Sequence, residues 1–183
     1  MSRGGNRGNQ KNEAVAFFGA TPDGWNTTYK PIFFAARNGQ SDAVEFLLSE
    51  GVDVNSIGAW SQTPLTEAVS QGHTATATLL LDRGAKPCIR DFIGASLWHA
   101  TIANRVEMVN LLMKHGAGDC SDAESALSLA VENAQTGIVS ELLAGGVDPV
   151  DVSATHLVLP LTTVARRNGD QETLKLLKAA GAK

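Results

Sequence analysis

Cysteine is nearly absent from this chain of 183 residues, which contains only Cys88 and Cys120. Neither lies in a C-x-x-C spacing, so the usual sequence sign of a thiolate metal site is missing. The two read as free thiols of an intracellular protein, cytoplasmic or nuclear. Long apolar runs are lacking too: none approaches the roughly 18 residues a membrane span requires, and no secretory signal opens the chain. Basic charge is short. The formal net charge is −4; Arg3, Arg7 and Lys11 put +3 on residues 1–12, leaving −7 for the rest, 12 basic against 19 acidic residues. An acidic body argues against duplex nucleic acid as the main partner, because phosphate contacts need a basic face. Catalytic signatures are equally scarce. There is no His-Glu-x-x-His, no phosphate-cradling glycine loop ahead of a helix and no Gly-x-Ser-x-Gly elbow. Neither a metal nor a cofactor is expected.

What the chain does have is repetition. Ala35-Ala36-Arg37-Asn38-Gly39 is followed by an apolar stretch, Val44 to Leu48, and then by Gly51-Val52-Asp53-Val54-Asn55. The same order returns around Ala68 and Gly84, Ala100 and Gly116, Ala130 and Gly146, and Ala165 and Gly181. Intervals between the leading alanines are 33, 32, 30 and 35 residues, and the closing glycines keep the same intervals. Self-similarity near this period signals a stacked array in which each unit buries its apolar face against its neighbours.

The second copy shows the physics of one unit. Thr63 is placed to cap free backbone N–H groups, and Pro64 suits a first helical turn, where its missing donor costs nothing. Leu65, Ala68 and Val69 share one helical face, and the small Ala68 lets a neighbouring helix come close. Gly72 accepts the left-handed conformation that ends a helix. A second helix carries Leu79, Leu80 and Leu81, and a turn-rich finger follows Gly84.

This order, in Thr63-Pro64-Leu65, Gly72-His73, Leu79-Leu80-Leu81 and Gly84-Ala85 together with Gly51 to Asn55, resembles the ankyrin repeat. The resemblance covers residues 26–183. It implies an all-α solenoid of stacked helix–turn–helix units with hairpin-like finger loops, whose concave face holds other proteins. It also implies structural hydrogen bonds for His73 and His115. Leu47 to Asn55 resembles the segment that asparagine hydroxylases modify in such proteins; a structural role of Asn55 in the turn accounts for it equally well.

The expected organisation is a disordered basic tail at 1–12, a degenerate half cap at 13–25, and five repeats at about 26–57, 58–90, 91–120, 121–150 and 151–183. The tail's Arg3-Gly4-Gly5 and Arg7-Gly8 are too few to read as an RNA-binding Arg-Gly segment. Departures from the pattern fall in the later copies. Ala95-Ser96-Leu97-Trp98 stands where Thr-Pro-Leu-His is usual. Gly137 falls inside the second helix of copy four, and Glu141 occupies a position filled elsewhere by Phe46, Leu79 or Leu111, with Phe46 expected in the core. A longer loop, Asp151 to Leu159, precedes copy five. On this reading the fourth repeat is the weak unit.

Aromatic residues are few and unevenly placed, and none follows Trp98. Tyr29, Trp60 and Phe92 fall at finger tips, where no core needs them; exposed aromatics are the usual anchors of a binding hot spot. Phe33 and Trp98 replace the polar residue after the helix-opening leucine, and they either face the groove or pack between repeats. Phe34 follows on the inner helix. The groove-facing position just before the repeat alanine reads Phe34, Glu67, His99, Leu129 and Val164. Stacked helices lie about 8–10 Å apart, so Glu67 and His99 can meet as an acid–base pair or as a plain surface ion pair. Arg37, Ser70, Gln71, Glu132, Asn133 and Arg167 add a polar groove lining, and Gln62 is also expected at the binding surface. The leading expectation is a monomeric, non-catalytic module that binds a partner protein through the concave face of repeats one to three. The alternative is binding or acid–base conversion of a small apolar molecule around Glu67 and His99.

Overall fold

A computed structural model describes residues 31–149 and 159–182. Among them ten α-helices form five consecutive pairs. The inner members are α1 (Pro31–Arg37), α3 (Pro64–Gln71), α5 (Ser96–Ile102), α7 (Ala123–Glu132) and α9 (Leu161–Arg167). The outer members are α2 (Ser41–Ser49), α4 (Thr74–Asp82), α6 (Val106–Lys114), α8 (Thr136–Ala144) and α10 (Gln171–Ala179). Inner helices stack on one another in chain order, each also resting on its own outer partner. The proposed tail, the half cap, Tyr29 and the loop segment 151–158 lie outside the described residues.

The stacking follows from the repeating alanine. Ala35, Ala68, Ala100, Ala130 and Ala165 are all fully buried, and a methyl group is the largest side chain that lets inner helices lie this close. Leucines, valines and isoleucines of both helix rows, from Val44 to Leu177, join them in one continuous seam. Because every layer buries its face only against the next, stability is a sum over units and interfaces.

Helix ends are handled by repeated devices. At the start of α3, Thr63 accepts a hydrogen bond from the Thr66 amide while the Thr66 side chain accepts one from the Thr63 amide, a reciprocal cap. Inner-helix carboxyl ends carry backbone carbonyls with no intrahelical donor. One layer up, a side chain supplies it. His73 Nε2 lies 3.0 Å from the Arg37 carbonyl, Arg105 donates to the carbonyls of Val69 and Ser70, and Gln135 donates to Thr101 at 3.0 Å. Asn168 serves Val131 and Glu132, each at 3.1 Å. His73 thus has the structural hydrogen bond that the resemblance implied.

Three expectations need correction. The cysteines are not free: Cys88 and Cys120 form a disulfide with Cα atoms 5.1 Å apart. Each follows its repeat's closing glycine by four residues, so stacking brings the two into register. Phe46 is half-buried rather than core, because its position points along the outer row. The equivalent Leu79, Leu111 and Glu141 are half-buried as well, which is why a carboxylate is tolerated there. Glu141 accepts a hydrogen bond from the Asn110 amide on the adjacent outer helix. Gly137 is only the second residue of α8, where a glycine disturbs the helix less than in its middle.

Asn55 ties successive fingers together, donating to the Gly84 carbonyl at 3.1 Å and accepting from the Lys86 amide at 2.8 Å. Finger tips close by short backbone turns, Gly58 N–H to Gln62 C=O at 2.9 Å and Asp91 N–H to Gly94 C=O at 3.0 Å.

Candidate functional site

The fingers of repeats two and three stand beside the inner helices α3 and α5, and a cleft of about 460 Å³ opens between them. Its position follows from local structure. The finger from Ile57 to Gln62 is braced from below: the buried Gln62 accepts the Trp60 amide at 2.8 Å through Oε1, and its side chain fills the space above Gly58. Bracing the backbone in this way leaves the Trp60 ring outside, 65% exposed. On the next finger Asp91 accepts the amides of Ile93 at 2.7 Å and Gly94 at 3.0 Å. That turn projects Phe92, which is 75% exposed. The two rings meet edge to face, with centroids 6.1 Å apart.

The floor is polar. Glu67 comes from α3 at the groove-facing position, and its nearest cation is Arg37 on α1, 4.0 Å from a carboxylate oxygen. No hydrogen-bond donor among the described residues reaches that carboxylate. Burial pushes the Glu67 carboxyl above the ordinary 4.5; Arg37 opposes the shift, Asp91 adds to it and His99 opposes it. His99 from α5 is held by Asp91, whose Oδ2 lies 2.8 Å from Nε2. An acid–base pair and a plain surface ion pair between Glu67 and His99 were the two alternatives read from the sequence; His99 Nε2 is instead occupied by a carboxylate eight residues earlier in the chain. Ser70 hydrogen-bonds back to the Glu67 carbonyl at 2.9 Å, a helix-internal contact that leaves its hydroxyl at the cleft wall.

Of the residues expected at a binding surface, Arg37, Trp60, Gln62, Glu67, Ser70, Gln71, Phe92 and His99 line this one cleft. Phe33 does not: it is buried between the helices. Trp98 is half-buried and packs its inner atoms over Gly94, where a Cβ would come within 2.7 Å of it. Both therefore take the packing role rather than the groove role. Phe34 is partly exposed on the inner helix but lies outside the cleft. Sequence reading missed Asp91, Thr66 and Ile93. A signal for Asp91 was present, since Asp followed three residues later by Gly marks a tight turn; its second oxygen is then free to reach His99.

Among the described residues no group of histidine, cysteine and acidic side chains is arranged to hold a metal ion. None of their helices is long and apolar enough to cross a membrane.

Comparison with known proteins places this geometry in a family. A model described as ankyrin repeats (3 copies) matches residues 8–91. A putative ankyrin repeat protein of fowlpox virus is 33% identical over 158 residues, which is 83% of this chain and 36% of that protein. The palmitoyltransferase Hip14 of Drosophila melanogaster is 38% identical over 69 residues, 37% of this chain and 11% of the enzyme. The chain therefore spans about a tenth to a third of the length of these curated relatives. The crystal structure of the human ASB11 ankyrin repeat domain superposes with a TM-score of 0.66 at 26% identity, covering 85% of this chain and 71% of that one. Stacked helix pairs on a 33-residue period, closed by left-handed glycines and matched at this extent, make the chain a member of the ankyrin-repeat family.

Proposed function

We propose that this chain is a non-catalytic recognition module that holds a partner protein on the concave face of its first three repeats. Protein interaction is the general role of the family, and the observation that carries the specific reading is the cleft. Trp60 and Phe92 expose large aromatic surfaces, with the exposed Ile93 beside them in the same cleft. Contiguous exposed apolar area rimmed by polar groups is what an interface leaves open in the free protein. Beyond their contact with each other, these rings stay exposed, and they sit where a bound chain would bury them.

A small apolar ligand at Glu67 and His99 is the second reading. Its support is volume, since about 300–1,000 Å³ is the usual size of such sites. The cleft, however, lies open between the two fingers, and the Asp91 carboxylate already occupies His99 Nε2. A cytoplasmic or nuclear location, read from the two cysteines as free thiols, loses that support with the Cys88–Cys120 disulfide; in such a compartment reductants would make the bond a reversible one.

The test compares the full chain with Trp60→Ala and Phe92→Ala. Cross-linked partners retained by the parent are expected to weaken by about 1–3 kcal/mol with each variant, at an unchanged unfolding midpoint. Partner retention indifferent to both substitutions, together with a metabolite lost on replacing Glu67 or His99, would favour the small-molecule reading instead.

A further inference from the structure

We infer that the cleft between the second and third fingers receives a lysine or arginine side chain of the partner protein, its alkyl stem along a free face of the Trp60–Phe92 pair and its cationic head on the Glu67 carboxylate. This deepens, and rests on, the reading of the concave face as a protein-binding surface.

The chemistry of the cleft selects for a cation on an apolar stem. In an edge-to-face pair each ring keeps at least one face free, and an aromatic face is the negative pole of the ring. A cation held over such a face is attracted more strongly as it loses water. Below the rings lies a carboxylate with unmet acceptor capacity. Glu67 has a side chain only 15% exposed, and its one charged neighbour within reach, Arg37, stands at 4.0 Å and is itself 55% exposed. An ionised carboxylate offers about four acceptor sites, and none here is filled by a donor among the described residues. Leaving a partly buried carboxylate without donors is a cost, visible in its upward-shifted protonation, and an incoming ammonium or guanidinium group removes it.

Charge balance points the same way. Facing the cleft are Glu67 and Asp91 against Arg37, with His99 tied to Asp91. An anionic side chain would meet two carboxylates, and a neutral donor would leave the excess negative charge unbalanced. The volume of about 460 Å³ exceeds a single side chain, leaving room for flanking residues of a polypeptide, and the exposed Ile93 extends the apolar rim for them. A free small amine would leave that rim uncovered.

The experiment is a random-peptide display selection on the full chain, counter-selected with Trp60→Ala. Peptides lost with Trp60→Ala should carry lysine or arginine at one fixed position, and changing it to norleucine or citrulline should weaken binding about tenfold or more, the usual scale for a charged hydrogen bond. In Glu67→Gln the preference for the basic residue should vanish, the lysine and norleucine peptides binding alike. Arg37→Ala, which removes the internal competitor for Glu67, should strengthen basic peptides. Trp60-dependent peptides without a fixed basic residue, or a basic preference that survives Glu67→Gln, overturn the cation proposal while leaving the interaction surface standing. A selection yielding only peptides indifferent to Trp60→Ala overturns both.

Discussion

His99 Nε2 lies 2.8 Å from Asp91 Oδ2, so the groove histidine is bound to its own repeat's finger and not to the preceding repeat. Asp91 holds both ends of this link, since its other oxygen accepts the Ile93 and Gly94 amides. Asp91→Ala removes all three contacts, two of them part-buried, and should destabilise the fold by about 1 kcal/mol. The amides of Ile93 and Gly94 should lose most of their hydrogen-exchange protection. Unchanged protection there would show that the finger holds its shape without the carboxylate.

The Cys88–Cys120 bond closes a loop of 32 residues between consecutive fingers. A cross-link of that span removes unfolded-state freedom worth roughly 2–4 kcal/mol. Reducing the protein, or Cys88→Ser with Cys120→Ser, should lower the urea midpoint accordingly and raise exchange in repeats two and three first. An identical midpoint with and without reductant would mean that the thiols are unpaired in solution.

The weak point of the fourth repeat lies at Ala134, which holds φ 53° at a helix end where Gly39, Gly72 and Gly169 stand in other copies. An alanine in the left-handed region is strained by about 1–2 kcal/mol. Ala134→Gly should therefore stabilise the array by about 1 kcal/mol and slow exchange across α7 and α8, despite the entropy a glycine adds to the unfolded chain. Gly137→Ala should also help, but less, because its new methyl would press on Val106 at 3.1 Å. A destabilised Ala134→Gly variant would refute the strain assignment.

Two carboxylates should move stability with pH in opposite directions. Glu67, raised above 4.5 by burial, adds stability fully at pH values below its unfolded pKa and loses it as pH rises through the higher folded value. Glu67→Gln should thus raise the unfolding midpoint at pH 7, with the gain shrinking to nothing in acid. At Asp170, desolvation pushes the carboxyl up but is outweighed by hydrogen bonds from Thr173, Thr136 and the Glu172 backbone, so it sits below 3.8. Its contribution is present above the unfolded pKa and lost as pH falls through the folded one. Asp170→Asn should cost about 0.5–2 kcal/mol at neutral pH, the worth of a helix cap, and nothing at the lowest pH. Thermal melts from pH 3 to 8 would separate the two, and parallel pH curves for both variants would contradict the assignment.

Much of this molecule was legible in its sequence. The period, the buried alanines, the Thr63-Pro64 helix start and the glycine stops are local patterns, and a stacked array converts local patterns directly into architecture. The groove-facing register that singled out Glu67 and His99 is of the same kind, because it follows from helical periodicity alone. Stacking also carried a signal that went unread: Cys88 and Cys120 are spaced by one repeat interval, so equivalent positions had to become neighbours.

Tertiary structure decided what happens sideways, between fingers and between outer helices. Which carboxylate reaches His99 depends on how the turn after Asp91 bends, and that path has no period. Glu141 is satisfied by Asn110 through packing of two outer helices, a contact that neither helix encodes alone. Phe33 and Trp98 were divided from Trp60 and Phe92 by burial, which the neighbouring layers set. Periodicity places a side chain on a face; only the assembled layers determine what that face meets.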